Sequence, residues 1–372
     1  MITVKEVKTK KEQREFLEFP LKLYKNNPYF VPPLYMDEKK IFRSDYAYYD
    51  TCEAVYYLAQ RDGMTVGRIS GILQRAANEK NGEKRIRFTR FDTIDDHEVS
   101  EALFGAVEAW GRSMGMDAVC GPLGFSDLER EGLLIDGFDQ LATFEEQYNA
   151  PYYSEHIERL GYVKEVDWYE SRIRPPQKRD EGLYRFTERI MKKHGLRFGS
   201  ARNVDDFINR YGEQFFRLLD RSYDEIYGTV PISGRIKQML IDNFRMIVKM
   251  KYLGFILNEQ DEMICFALCF PSLSEAVRKS DGKLTPAALV RLLRAINRPS
   301  VIDFGLIGVA PEYRNYGIGA CMIPPLIEML ERDGIEHAET NLNLEDNMAI
   351  RNFWKRFDAV EHKKRRSYVK KL

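Results

Sequence analysis

Residues 172–180 read Arg-Ile-Arg-Pro-Pro-Gln-Lys-Arg-Asp, and this break limits what the chain can fold into more than any other passage. Paired prolines end regular structure, and dense charge keeps such a segment in water. At 372 residues the chain also exceeds what one core usually supports. Two domains are therefore expected, at 1–175 and 176–372.

The two sides of the break read alike. In the first, Ile2–Val7 has the pattern of a strand and Lys11–Tyr24 that of a helix. A hairpin turns at Asp62-Gly63, a strand covers 86–91 and a helix covers 98–114. A strand at 118–120, a helix at 152–160 and a strand at 162–173 complete it. In the second, an extra helix near 181–193 precedes a strand at 196–200, a long helix at 205–226 and a helix near 235–247. Strands at 251–257 and 263–270 form a hairpin. Then come the strand 301–309, a helix 316–332, a strand 338–342, a helix 348–357 and a strand 361–369. The order of elements repeats although the residues do not. The fold class that follows is α/β, with a mixed sheet in each half.

Composition bounds the rest. With 44% hydrophobic residues and 12% aromatics the chain has ample core material. Lys and Arg total 57, as do Asp and Glu, which argues against a chain steered as a whole onto nucleic acid. The longest apolar run, Ile264 to Phe270, is too short to span a bilayer, and the start has no signal-peptide core, so no membrane partner is expected. Five cysteines without a Cys-x-x-Cys fit reduced, buried thiols and a cytoplasmic setting. The five histidines show no ligand spacing, so no metal is expected.

One passage carries chemistry. The apolar segment Val301–Val309 runs into Ala310-Pro-Glu-Tyr-Arg-Asn-Tyr-Gly-Ile-Gly319. Gly317 and Gly319 allow a sharp turn and close ligand approach. The first amides of a following helix lack intrahelical partners and sit at its positive end, and Arg314 adds a permanent charge. Such a turn can cradle a pyrophosphate. Its spacing is not that of an NTP-binding P-loop. Pro324-Pro325 should kink the following helix about two turns in.

Here the sequence resembles the GNAT superfamily of acyl-CoA-dependent N-acyltransferases, and as a whole it looks like a tandem GNAT protein. The family's phosphate motif matches Val309, Pro311, Arg314, Gly317 and Gly319. Its downstream Asn-plus-helix segment matches Asn347 through Trp354. In the first half, 149–162 resembles the same helix. The resemblance implies two tandem GNAT-like domains, each a mixed, mostly antiparallel sheet flanked by helices. It also implies acetyl-CoA or another acyl-CoA as co-substrate. Binding would fall to Leu306, Ile307, Gly308, Val309, Arg314, Asn315, Tyr316, Gly317, Ile318, Gly319, Ala320, Asn347 and Trp354.

At the equivalent turn of the first half stands Phe91-Asp-Thr-Ile-Asp-Asp-His-Glu98, with four carboxylates and no glycine. Carboxylates there cap a helix and repel phosphate, so this half is expected to be a degenerate copy. By the resemblance, Asp303 occupies the place of a strand carboxylate that acts as base, and Tyr223 and Tyr227 fall where the acceptor binds. Glu339 and Asn341 are weaker candidates on the next strand. The family's usual general acid, a tyrosine, falls at Trp354, whose indole N–H cannot protonate a thiolate. The glycine-rich, acidic stretch 121–138 could line a cleft for an amine. The expected activity is acyl transfer to a small amine or amino-acid-like acceptor. The rivals are a non-catalytic acyl-CoA-binding protein and a transferase using aminoacyl-tRNA. Oligomeric state is not legible in the sequence.

Overall fold

A computed structural model describes residues 1–232 and 234–372. Two compact units emerge, each assembled from separated parts of the chain. The first comprises Met1–Tyr169, Leu273–Leu292 and Lys363–Leu372; the second comprises Glu170–Ser272 and Leu293–His362.

The first unit is built on β1 (Ile2–Glu6), β2 (Cys52–Arg61), β3 (Met64–Gln74), β4 (Arg85–Thr93) and β5 (Ala118–Gly121), hydrogen-bonded in that order. All these pairs are antiparallel except β4 with β5. The chain's last strand, Asp358–Lys371, joins beyond β5, with Tyr368 opposite Gly121. Asp62 and Gly63, at φ 53 and 77, give the tight turn whose twist matches the β2–β3 hairpin. Helix α1 (Lys10–Leu23) starts at a capping box between Thr9 and Glu12. Helix α2 (His97–Ser113) buries Val99, Leu103, Phe104 and Val107, spaced for one helical face. With Phe88, Phe91 and Tyr153 they form this unit's core. β6 (Leu133–Asp136) pairs with the last strand, and α3 (Tyr153–Arg159) leads into β7 (Val163–Arg174).

The second unit repeats the plan. After α4 (Glu181–Lys193) come β8 (Arg197–Phe198), α5 (Val204–Tyr223) and α6 (Gly234–Ile247). The sheet continues with β9 (Leu253–Leu257) and β10 (Met263–Pro271). A helix α7 (Pro286–Asn297), whose residues up to Leu292 belong to the first unit, precedes β11 (Val301–Val309). The chain closes with α8 (Ile323–Arg332), β12 (His337–Thr340), β13 (Asn343–Leu344), α9 (Met348–Trp354) and β14 (Asp358–Lys371). The strand order is β8-β9-β10-β11-β12-β7, antiparallel except β11 with β12. β10 lies between two strands and is buried almost throughout, which is why Met263–Pro271 reads as a continuous apolar run. Its Cys265 and Cys269 are fully buried free thiols, which burial pushes above their ordinary range.

Element order and sheet order thus agree between the units, down to one parallel pair in the same place. The sixth strand is the exception in origin. The first unit takes residues from the C-terminus and the second takes the end of β7, so the compact units do not divide cleanly at 175.

Candidate functional site

Only the first half of β11 is paired on both sides. Val301–Phe304 lie opposite His337–Thr340 of β12, while pairing with β10 runs on to Val309. A bulge falls at Gly305, which the pairing with Leu268 and Cys269 skips. A Cβ at Gly305 would lie 2.0 Å from the Phe270 ring, so only glycine fits. Asn341, just past β12, holds this point: its N–H donates to Phe304 O at 3.2 Å and its Nδ2 to Gly305 O at 3.3 Å. Beyond it the strands part, and residues 305–307 become half-exposed.

The opened edge is occupied by tyrosine. The Ile307 N–H donates to the Tyr223 hydroxyl at 3.3 Å, and that hydroxyl donates to Ile307 O at 3.2 Å. Both groups of Ile307 therefore point away from β10. Ser222 Oγ donates to Val309 O at 3.3 Å, so the end of α5 lies along this edge. Tyr227 is half-buried in the turn that follows.

The glycine turn differs from its expected form. A single helix over 316–332 was anticipated. Instead a 3-10 segment Pro311–Tyr316 ends at Gly317, a second covers Gly319–Met322, and α8 begins at Ile323. Pro324 and Pro325 stand in the first turn of α8, where a missing N–H costs nothing, so they start the helix and do not kink it. Gly317 is left-handed at φ 75, and a Cβ there would meet the Phe186 ring at 2.8 Å. Neither 3-10 segment nor α8 has a side-chain cap on its first amides. Arg314, Asn315 and Tyr316 are exposed around this turn, while Ile318 is buried beneath it with Gly319 and Ala320 half-buried beside it. Arg314 donates to Ser222 O at 3.1 Å and lies 3.5 Å from the Glu225 carboxylate. Arg189 of α4 stands over the Phe186 ring at 5.9 Å.

Asp303 is 1% exposed and lies beside Phe270 and Glu339 in the sheet. Glu339 anchors a buried charge cluster. Its carboxylate meets His362 Nε2 at 2.7 Å, Arg172 Nε at 3.1 Å and His337 Nε2 at 3.3 Å. An imidazole held by a carboxylate can take and return a proton. His337 shares a strand face with Glu339 at i, i+2, a spacing the sequence does carry, whereas only the sheet brings His362 there.

Asn347 caps α9, accepting from the Ile350 N–H at 3.2 Å. Trp354 is buried against the Phe304 ring at 4.8 Å and donates its indole N–H to Asn343 Oδ1, so it forms a wall with its polar atom already engaged. Among the described residues no His, Cys, Asp and Glu group could hold a metal ion, and no helix is long and apolar enough to cross a membrane.

No family model matches the chain. It is 28% identical over 375 residues to protein YghO of Escherichia coli (strain K12), covering 98% of this chain and 94% of that one. It is 26% identical over 387 residues to a bacterial ceramide synthase of Caulobacter vibrioides (strain NA1000 / CB15N), covering 100% and 98%. Among solved structures it resembles a tandem GNAT protein from the clavulanic acid biosynthesis pathway, with a TM-score of 0.57 at 10% identity, covering 100% of this chain and 98% of that one. A GCN5-related N-acetyltransferase from Sphaerobacter thermophilus superposes with a TM-score of 0.54 at 11% identity, covering 100% and 95%. The chain therefore has the fold of a tandem GNAT protein.

Proposed function

We propose that this protein is an acyl-CoA-dependent N-acyltransferase whose second unit holds the cofactor. The observation that carries the reading is the parted edge of β11 running directly into an uncapped turn with left-handed Gly317 and Arg314 beside it. The amides from 317 to 319 and the Arg314 guanidinium would take the pyrophosphate. The edge of Leu306–Val309 would pair with the pantetheine, and Asn347 and Trp354 would bound its far side.

The chemistry is one bond made and one broken. The amine nitrogen attacks the thioester carbonyl, the Ile307 N–H stabilises the oxyanion, and the C–S bond breaks as the amide forms. The amine proton leaves through Asp303 by way of water, or through the His362–Glu339 pair on the neighbouring strands. The Tyr223 hydroxyl bonds Ile307 now; displaced by the thioester, it would stand beside the sulfur and could protonate the thiolate in place of the absent family tyrosine.

The acceptor expected from the sequence is a small or amino-acid-like amine. A second reading comes from the full-length similarity to a protein named bacterial ceramide synthase. A ceramide is the amide of a long-chain amino alcohol, so that class belongs in the same assay. The test is thiol release from acetyl-CoA and a long-chain acyl-CoA across both amine classes. Tyr223→Phe should lower kcat by roughly a hundred- to ten-thousandfold while CoA affinity holds, the usual range for losing a general acid. CoA binding without thiol release from any amine would instead mark a non-catalytic acyl-CoA-binding protein.

A further inference from the structure

Helix α7 (Pro286–Asn297) lies between β10 and β11 and turns much of its apolar surface outward. It buries Ala288 and Leu292, yet Leu289, Val290 and Leu293 are 53%, 67% and 50% exposed, and Leu284 just before it is 53% exposed. At 100° per residue Leu289, Leu293, Pro286 and Val290 form one outward ridge, with Arg294 and Arg291 along one side of it. Large side chains grouped in this way mark an interaction surface, whereas single exposed leucines do not.

The charge along the segment that carries the ridge has one sign, although exposed Asp281 immediately precedes it. Residues 282–302 carry Lys283, Arg291, Arg294 and Arg298 and no acidic residue. In a chain with equal numbers of acids and bases, that run is a local departure. Among the described residues none of these four makes an ion pair; Arg291 reaches only the Lys279 carbonyl, at 3.5 Å. An apolar ridge flanked by lysine and arginine is the arrangement of helices that lie in the headgroup region of an anionic bilayer.

We propose that α7 docks this protein on the surface of an anionic phospholipid membrane. Leu284, Leu289, Val290 and Leu293 enter the acyl boundary, and Lys283, Arg291, Arg294 and Arg298 meet the phosphates. A second copy of the chain is the poorer occupant, because a twofold contact through this face would set the arginines of one copy against those of the other. No spanning helix is needed, so the absence of one among the described residues is compatible with docking. The proposal stands independently of the reaction assigned above.

Flotation of the full-length protein with vesicles tests it. Wild type should float with vesicles of equal parts phosphatidylcholine and phosphatidylglycerol, more strongly at low salt, and poorly with phosphatidylcholine alone. Arg291→Gln/Arg294→Gln/Arg298→Gln should lose on the order of a hundredfold in partitioning, at roughly fivefold per charge. Leu289→Ser/Leu293→Ser should lose binding to both vesicle types, and circular dichroism matching wild type would show that these exposed positions leave the fold intact. Equal partitioning of wild type and the arginine variant, or no flotation of wild type at low salt, overturns the proposal. It also fails if wild type ignores vesicles but forms a dimer that the leucine variant abolishes, which would assign the ridge to a second copy.

Discussion

Each unit places a strand-to-helix turn at the same position of its own strand order, and the two finish it in opposite ways. After β4, the donors are filled from within. Asp96 accepts from the Glu98 N–H at 3.0 Å, the Tyr153 hydroxyl accepts from the Thr93 N–H at 2.7 Å, and the Arg68–Asp92 ion pair lies buried at 2.7 Å. After β11, the turn and the helix that follows have no side-chain caps. A turn that satisfies its own amides stabilises a fold, and one that leaves them open suits an anion. A repeated sheet plan can thus keep a turn's position while the two copies differ in its backbone path and in whether side chains cap its amides.

The largest effect should come from the closed turn. Asp92→Ala removes the carboxylate paired with buried Arg68, which keeps the Phe16 carbonyl and ring beside it, and should cost about 3–5 kcal/mol in chemical denaturation. CoA affinity of the protein that remains folded should not change; a matching loss of affinity would mean the first unit takes part in binding.

Gly317→Ala acts on the open turn. The left-handed backbone strains alanine by about 1–2 kcal/mol, and the Phe186 ring must also shift. CoA affinity should fall by roughly five- to thirtyfold, read by calorimetry, which is that strain expressed as a binding constant. Unchanged affinity would show that the left-handed turn is not the cradle.

Asp96→Ala removes a helix cap and should cost about 1 kcal/mol of stability. The hydrogen bond from Arg61, with help from the Glu98 N–H and against a burial penalty, holds the Asp96 carboxyl below its ordinary range. A lowered carboxylate stabilises the fold above its unfolded pKa and loses that contribution as pH falls through the folded value. The gap between wild type and Asp96→Ala should therefore be full at neutral pH and shrink in acid. A gap that widens in acid would contradict the ion pair.

Much of this comparison was legible in the residues. Glycine at 317 and carboxylates at 92, 95, 96 and 98 announced the open and closed turns, and Asp62-Gly63 and Asn347 announced a hairpin and a helix cap. Long-range contacts were not legible. Tyr223 meets Ile307 across 84 positions, and nothing in either segment names the other. The Gly305 bulge depends on register with β10, and the cluster around Glu339 draws Arg172 and His362 from two other strands. Helix α7 escaped detection because its outward leucines obscure the usual buried stripe. The prolines at 324–325 misled because their effect depends on where the helix starts.

The proposed cofactor cradle is the one open turn of the second unit. Calorimetric titration of CoA into wild type and Arg314→Ala tests it most directly. The account predicts one site per chain in wild type and a loss of affinity of roughly ten- to a hundredfold in Arg314→Ala, the scale of charge-assisted hydrogen bonds to phosphate. Two sites per chain, no binding by wild type, or undiminished binding by the variant would contradict it.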